Sequence, residues 1–369
     1  MTMNKKIFNL IALCAMMTLS FTSCNKEDDP LPPVEPEVPV EPDEPLVPSE
    51  YIYVLSSGNM GSNNSSLSMY NKKDKTVTKD IFQTQNGRRL GDTGQDIIVY
   101  GSKMYIAVSG ESTIEVTDLD AKSIRQIESE GQPRYFAVHG GKVYVTYFNG
   151  YVARIDTVSL EVDAKVQVGR NPEQLTVANE KLYVANSGGL DYDTEVGYDK
   201  TVSVVDIASF SETKKIEVVI NPCDIVYDNK GKVYVVSIGN YFDVPNTLQM
   251  IDINTDEVYV MDDVNGTFLS VSQNTMYMMH SQYDTNWNEI IKYYSYDLTE
   301  NKVISDNFIG STEVSKPYRI AADAVSGEIY ITSSDYINDG DVYIFDKTCT
   351  FVDNFEVGLN PIKAVRIEK

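Results

Sequence analysis

A short strand of the form hydrophobic–Tyr–hydrophobic recurs seven times along this chain, and that recurrence restricts it to a repeat architecture. The strands begin at Tyr51-Ile52-Tyr53-Val54, Lys103-Met104-Tyr105-Ile106, Lys142-Val143-Tyr144-Val145 and Lys181-Leu182-Tyr183-Val184. They continue at Lys232-Val233-Tyr234-Val235, Thr275-Met276-Tyr277-Met278 and Glu328-Ile329-Tyr330-Ile331. The aligned tyrosines are spaced by 52, 39, 39, 51, 43 and 53 residues. A unit near 40 residues, lengthened by insertions, is the period of a four-stranded propeller blade.

Two other markers keep phase with the tyrosines. Upstream lies a chain-turning residue: Gly94, Pro133, Pro172, Pro222, Gly266 or Pro317. Downstream, an alternating strand ends in Asn71, Asp118, Asp156, Asp206, Asp252, Asp297 or Asp346, residues whose side chains cap turns through their own backbone. Each unit therefore reads as strand A, a short turn, tyrosine strand B, a loop, strand C, an Asp turn and strand D. The first tyrosine strand lacks a strand A. The last residues, Asn360 to Glu368, match one, down to the Asn-Pro shared with Asn171-Pro172 and Asn221-Pro222. The expected fold is all-β: a seven-bladed propeller over 51–369, its antiparallel blades four-stranded and its first blade completed by the C-terminal strand. Such closure limits exposed sheet edges.

The N-terminal residues read as an address. Lys5 and Lys6 precede an apolar stretch, Ile7 to Leu19, too short to span a bilayer permanently. Ser23-Cys24 then resembles a bacterial lipobox. Residues 1–23 are thus expected to be a lipoprotein signal peptide, with Cys24 lipidated. Residues 24–50 would hold the anchor, an acidic run (Glu27, Asp28, Asp29) like the surface-export signal of Bacteroidetes lipoproteins, and a proline-rich linker extended by its fixed φ angles. Removing Lys5 and Lys6 would take the net charge from −23 to −25. That charge argues against a nucleic-acid partner, whose phosphates demand a basic face. Cys223 and Cys349 sit at different places in the repeat, so no disulfide is expected between them.

Insertions fall on one face. A–B turns are a few residues, whereas B–C loops are long: Ser57 to Ser66, Asn186 to Lys200, Ser237 to Thr247, His280 to Glu289 and Ser333 to Gly340. The D–A connection Gln83 to Gly94 is long too. One-sided insertions in a repeat protein mark a binding face. Candidate ligand-binding residues there are Tyr147, Phe148, Asn186, Tyr192, Tyr198 and Asn240. Tyr241, Phe242, Tyr283, Trp287 and Tyr336 complete the set. Rigid aromatics give contact area at low entropy cost, and amides suit a bulky neutral ligand rich in amides or hydroxyls. Asp191, Asp193 and Glu195 form a Ca²⁺ candidate that lacks the full EF-hand pattern. No catalytic residue is assigned: His139 and His280 fall toward opposite faces, and neither a nucleophile elbow nor a phosphate loop occurs. No catalytic cofactor is expected.

The segment Lys181-Leu182-Tyr183-Val184-Ala185-Asn186-Ser187-Gly188, with Thr201 to Asp206 following, resembles the YVTN/YncE-type propellers. Taken whole, with signal, Cys24, acidic follower, proline spacer and seven blades, the chain is similar to the Bacteroides surface-exposed cobalamin-binding propeller lipoproteins (BtuG type). That resemblance implies capture of vitamin B12 and other corrinoids at the outer face of the outer membrane. It also implies delivery to a TonB-dependent transporter of the BtuB type, with the membrane engaged through the lipid anchor. Two other classes stay open: a surface glycan-binding propeller, and a propeller lyase or glycosidase.

Overall fold

The computed structural model describes Glu50–Lys369 apart from Asp284, Thr285 and Trp287; the signal peptide, Cys24, the linker and Trp287 lie outside the described residues. The described chain falls within one compact unit, Pro48–Lys369. It holds seven four-stranded antiparallel sheets. Blade 1 is built from residues 50–78 and Pro361–Glu368, and blades 2 to 7 span 94–128, 133–167, 172–217, 222–260, 268–305 and 317–359. Strands are lettered A (innermost) to D.

Each repeat feature has a structural job. The seven tyrosines of strand B are all buried. Each packs against the following blade: Tyr53 against Ile97 and Met104, Tyr144 against Leu175 and Leu182, and Tyr330 against Ile52 and Val54 across the ring closure. A tyrosine thus serves as the large apolar wedge of every inter-blade interface, which is why the pattern repeats. The seven Asn and Asp residues at the ends of strand C accept backbone N–H bonds two to four residues on, as Asp118 does from Asp120 and Lys122, both at 2.9 Å. These bonds hold the carboxyls of Asp206, Asp297 and Asp346 below the usual range, backbone donors leading in the first two and the Thr348 hydroxyl in the third.

The ring closes as the sequence predicts. Glu50 to Ser56 pairs with Ser66–Asn71 on one side and with Pro361–Glu368 on the other, Tyr53 standing opposite Val365. Two loop expectations need correction. The connection from Gln83 to Gly94 contains the end of a short helix, Ile81–Asn86, whose Ile81 and Phe82 are buried. The presumed loop from His280 to Glu289 begins and ends as strand, because the B–C hairpin of blade 6 stays paired out to Tyr283 opposite Glu289. His280 is consequently buried within that strand.

Candidate functional site

Strand register fixes which ends share a face. In blade 3, Pro133 opposes Tyr147, which opposes Tyr151, which opposes Gln167. The start of A, end of B, start of C and end of D therefore lie on one edge, with all B–C loops and D–A corners. Several corners turn through residues with positive φ: Asn171 (44°), Asn221 (62°) and Asn360 (56°). Asn is a residue that tolerates the left-handed region. Its amide then ties loops together: Asn171 Nδ2 donates to Phe148 O at 2.9 Å, and its Oδ1 accepts from Leu190 N at 3.1 Å.

At the centre of this edge the A strands converge. Opposite the tyrosine of strand B lie Val365, Ile98, Ala137, Thr176, Val226, Ser270 and Ala321. Two residues before these comes an equivalent set: Lys363, Asp96, Tyr135, Gln174, Asp224, Phe268 and Arg319 in blades 1 to 7. One residue earlier still stand Arg134 and Glu173, in blades 3 and 4, and Tyr318, in blade 7. The innermost strand of every blade but the sixth thus carries a charge near its mouth end, blade 4 through Glu173. Asp96, Glu173 and Asp224 are all at least nine-tenths buried. Lys363 Nζ donates to Asp96 Oδ1 at 2.7 Å, and Arg134 grips Glu173 through Nε and Nη2. Asp224 accepts Leu269 N at 2.8 Å, while its other oxygen has no partner. Burial pushes its carboxyl up to about 6, opposed by the Leu269 N–H, Arg319 and Lys363.

Aromatic rings wall this polar well. Phe148 lies 4.7 Å from the Arg134 guanidinium, and Tyr318 and Phe268 lie 4.3 and 4.1 Å from that of Arg319. Tyr336 meets Tyr318 edge-on at 5.5 Å. Tyr198 is half-buried, and it and Tyr241 lie near the Cys223 thiol. Above them project Tyr192, Tyr241 (79 % exposed), Phe242 (94 %), Tyr283 and Tyr336 (60 %). Single exposed apolar residues are ordinary, but a group of them around one opening is not.

Of the residues expected from the sequence, Phe148, Tyr192, Tyr198, Tyr241, Phe242, Tyr283 and Tyr336 belong to loops or strand ends of this face. Three require correction. Tyr147 is only 1 % exposed and packs between blades 2 and 3, because its position in strand B points into the interface. Asn186 is fully buried, its amide spent on Gly169 N, Thr201 Oγ1 and Ser203 Oγ. Asn240 organises its own loop, its Oδ1 accepting from Phe242, Asp243 and Val244 N. Asp191 is engaged by Arg170, and among the described residues no three His, Cys, Asp or Glu side chains converge as Asp191, Asp193 and Glu195 would need for Ca²⁺. Cys223 and Cys349 are free thiols. His139 Nε2 contacts Glu180 at 2.9 Å beside the A–B turn, away from His280.

The charged well was not among the features expected from the sequence. Its signal was present: acids and cations placed one or two residues after the turn residue, just before the first buried aliphatic of strand A. Two recesses, of about 560 and 380 Å³, lie on the outer rim, lined by residues such as Met261 and Tyr296 or Arg125 and Leu160. Neither gathers the chemistry of the mouth.

Fold and site together define a propeller with an open, aromatic-walled axial mouth on its long-loop face. The chain belongs to the family described as "Domain of unknown function (DUF5074)", whose match covers residues 51–351. Solved structures share the fold. A quinonprotein alcohol dehydrogenase-like protein from Bacteroides thetaiotaomicron is 16 % identical, with a TM-score of 0.61 over 85 % of this chain and 77 % of that one. Hydrazine synthase from Kuenenia stuttgartiensis is 15 % identical, with a TM-score of 0.57 over 73 % and 93 %. Apo AztD from Citrobacter koseri is 11 % identical, with a TM-score of 0.54 over 87 % and 99 %. No curated protein sequence matches the chain. At these identities the likeness carries the fold alone.

Proposed function

We propose that this protein is a cell-surface lipoprotein that captures corrinoids at the axial mouth and passes them to a TonB-dependent outer-membrane transporter. The observation that carries the reading is the exposed set Tyr192, Tyr241, Phe242, Tyr283 and Tyr336 above a polar well. A corrinoid is a broad, largely apolar ring edged by amides, too large for a small enclosed pocket. An open mouth offers rings for its face and polar groups for its edge. The lipobox-like Ser23-Cys24 and the acidic run after it support tethering at the surface. Binding is favoured over catalysis because the well's acids and cations are largely committed to one another.

Calorimetric titration with cyanocobalamin tests the reading. The expected outcome is saturable heat and a shift in the cobalamin absorption spectrum. Neither heat nor shift would remove the corrinoid reading. The same exposed rings suit stacking on sugars, so a polysaccharide panel run alongside separates glycan capture from corrinoid capture. For the tether, Cys24→Ala should release the protein from the membrane fraction, and external protease should digest the wild type on intact cells.

A further inference from the structure

At the mouth end of the innermost strands, charges are matched in one sense around the ring: a cation on one blade meets an acid on the next. Lys363 of blade 1 meets Asp96 of blade 2, and Arg134 of blade 3 meets Glu173 of blade 4. Two charges are left over. Asp224 of blade 5 follows a blade that offers only Gln174 at the equivalent position, and its Oδ1 is unpartnered. Arg319 of blade 7 is followed by blade 1, where the equivalent residue is another cation, Lys363. It is preceded by blade 6, where Phe268 takes the face of the guanidinium at 4.1 Å. No carboxylate among the described residues comes within salt-bridge distance of Arg319, and its hydrogen bond to protein is Nη1 to Tyr318 O at 2.8 Å.

A half-buried guanidinium with no carboxylate in direct contact leaves its donors unspent, in a chain of net charge −23 that has acids in excess. Here it is held by rings rather than by an acid. Phe268 and Tyr318 lie close to it, and Tyr336 braces Tyr318. The planar fork keeps N–H donors to spare in a fixed direction, the arrangement that grips an oxyanion. The surrounding acids set a limit on that anion. Arg319 lowers the carboxyls of both Glu173 and Asp224 below where burial alone would put them, so both lie within its electrostatic reach. A multiply charged group would meet their repulsion; a monoanion would not be strongly opposed.

We propose that Arg319 is an oxyanion receptor on the floor of the mouth, taking a single monoanionic phosphodiester or carboxylate of a ligand whose apolar body lies against the tyrosines above. Its chemistry rests on the geometry of Arg319, and only the ligand's identity rests on the capture reading.

Cyanocobalamin carries one phosphodiester in its nucleotide loop and dicyanocobinamide lacks the whole loop, so the preference between them, compared with and without the Arg319 guanidinium, isolates the oxyanion. Wild-type protein is expected to bind cyanocobalamin at least about tenfold tighter, the scale of one charge-assisted hydrogen-bonding group. Arg319→Gln should abolish that preference while leaving dicyanocobinamide affinity unchanged, and Arg319→Lys should keep part of it. Equal affinity of the wild type for both corrinoids, or equal weakening of both by Arg319→Gln, would overturn the proposal, and the first comparison needs no variant to fold. If neither corrinoid binds, the capture reading fails by itself. The receptor is then read with dimethyl phosphate and with acetate, by ³¹P and ¹³C line broadening. Broadening that Arg319→Gln removes supports the receptor and distinguishes phosphodiester from carboxylate; no broadening of either probe by the wild type rejects it.

Discussion

Arg134 and Glu173, on the innermost strands of neighbouring blades, meet through Nε to Oε2 at 2.9 Å and Nη2 to Oε1 at 3.0 Å. A further contact runs from Arg134 Nη1 to Gln95 Oε1 at 3.0 Å, so one side chain ties blades 2, 3 and 4 around the axis. Burial raises the Glu173 carboxyl, and Arg134 opposes that rise. Breaking such a pair leaves a buried charge alone, whereas replacing both members by apolar groups does not. Arg134→Ala should therefore lower unfolding free energy by roughly 3–5 kcal/mol. Arg134→Met with Glu173→Leu should recover most of it in urea denaturation.

Asp224 gives a pH signature. Its carboxyl titrates at about 6 in the fold, above its ordinary 3.8, chiefly through burial. Arg319, Lys363 and the Leu269 N–H oppose the rise, and Tyr135 and Cys223 also face it. A raised acid binds its proton more tightly when folded, so its stabilising contribution is complete below about pH 4 and is lost as pH rises through 6. Asp224→Asn keeps an acceptor for Leu269 N and should be more stable than wild type above pH 7, by on the order of 2–3 kcal/mol. The two thermal-melt curves should converge toward pH 4.

Closure of the ring is a third test. Pro361–Glu368 supplies the innermost strand of blade 1, buries Ala364 and Ile367, and carries Arg366, which contacts Glu50 at 2.6 Å. Ending the chain at Asn360 would leave the edge of Glu50–Ser56 unpaired and uncover Ile52 and Val54, both fully buried. The truncated chain should lose its cooperative melt or unfold many degrees lower. It should also associate through the open edge, visible by light scattering.

The mouth and the interfaces should respond oppositely to aromatic truncation. Tyr241→Ala and Phe242→Ala remove side chains already in solvent, so stability should change by less than about 0.5 kcal/mol. Their effect should fall on cyanocobalamin affinity. Tyr147→Ala empties a packed site between blades and should cost roughly 3–5 kcal/mol with no selective effect on binding. Paired melts and titrations of the three variants separate the two roles.

The repeat was legible because each blade must bury the same faces against its neighbours. Tyr53 and its six equivalents, the Asp turns and the Asn-Pro corners recur for that reason, and they give blade number, strand order and the C-terminal closure. The site was legible only in part. Loop length marks the face, but residues adjacent in sequence on one strand, such as Tyr147 and Phe148, go to opposite environments: one into the inter-blade core, the other against Arg134. Asn186 looked like a loop amide, yet the end of strand B places it where backbone and hydroxyl partners already wait.

Sequence alone determined the architecture, since a short-range period of hydrophobic and turn residues suffices to specify identical neighbouring interfaces. The axial well was decided by tertiary structure. Lys363 and Asp96 stand 267 positions apart, and only ring closure sets the last strand beside the second blade. The same closure puts Lys363 after Arg319 around the axis, so that Arg319 finds rings where its counterparts find acids. Pairing around a ring depends on which blade follows which, and no local segment of the chain holds that information.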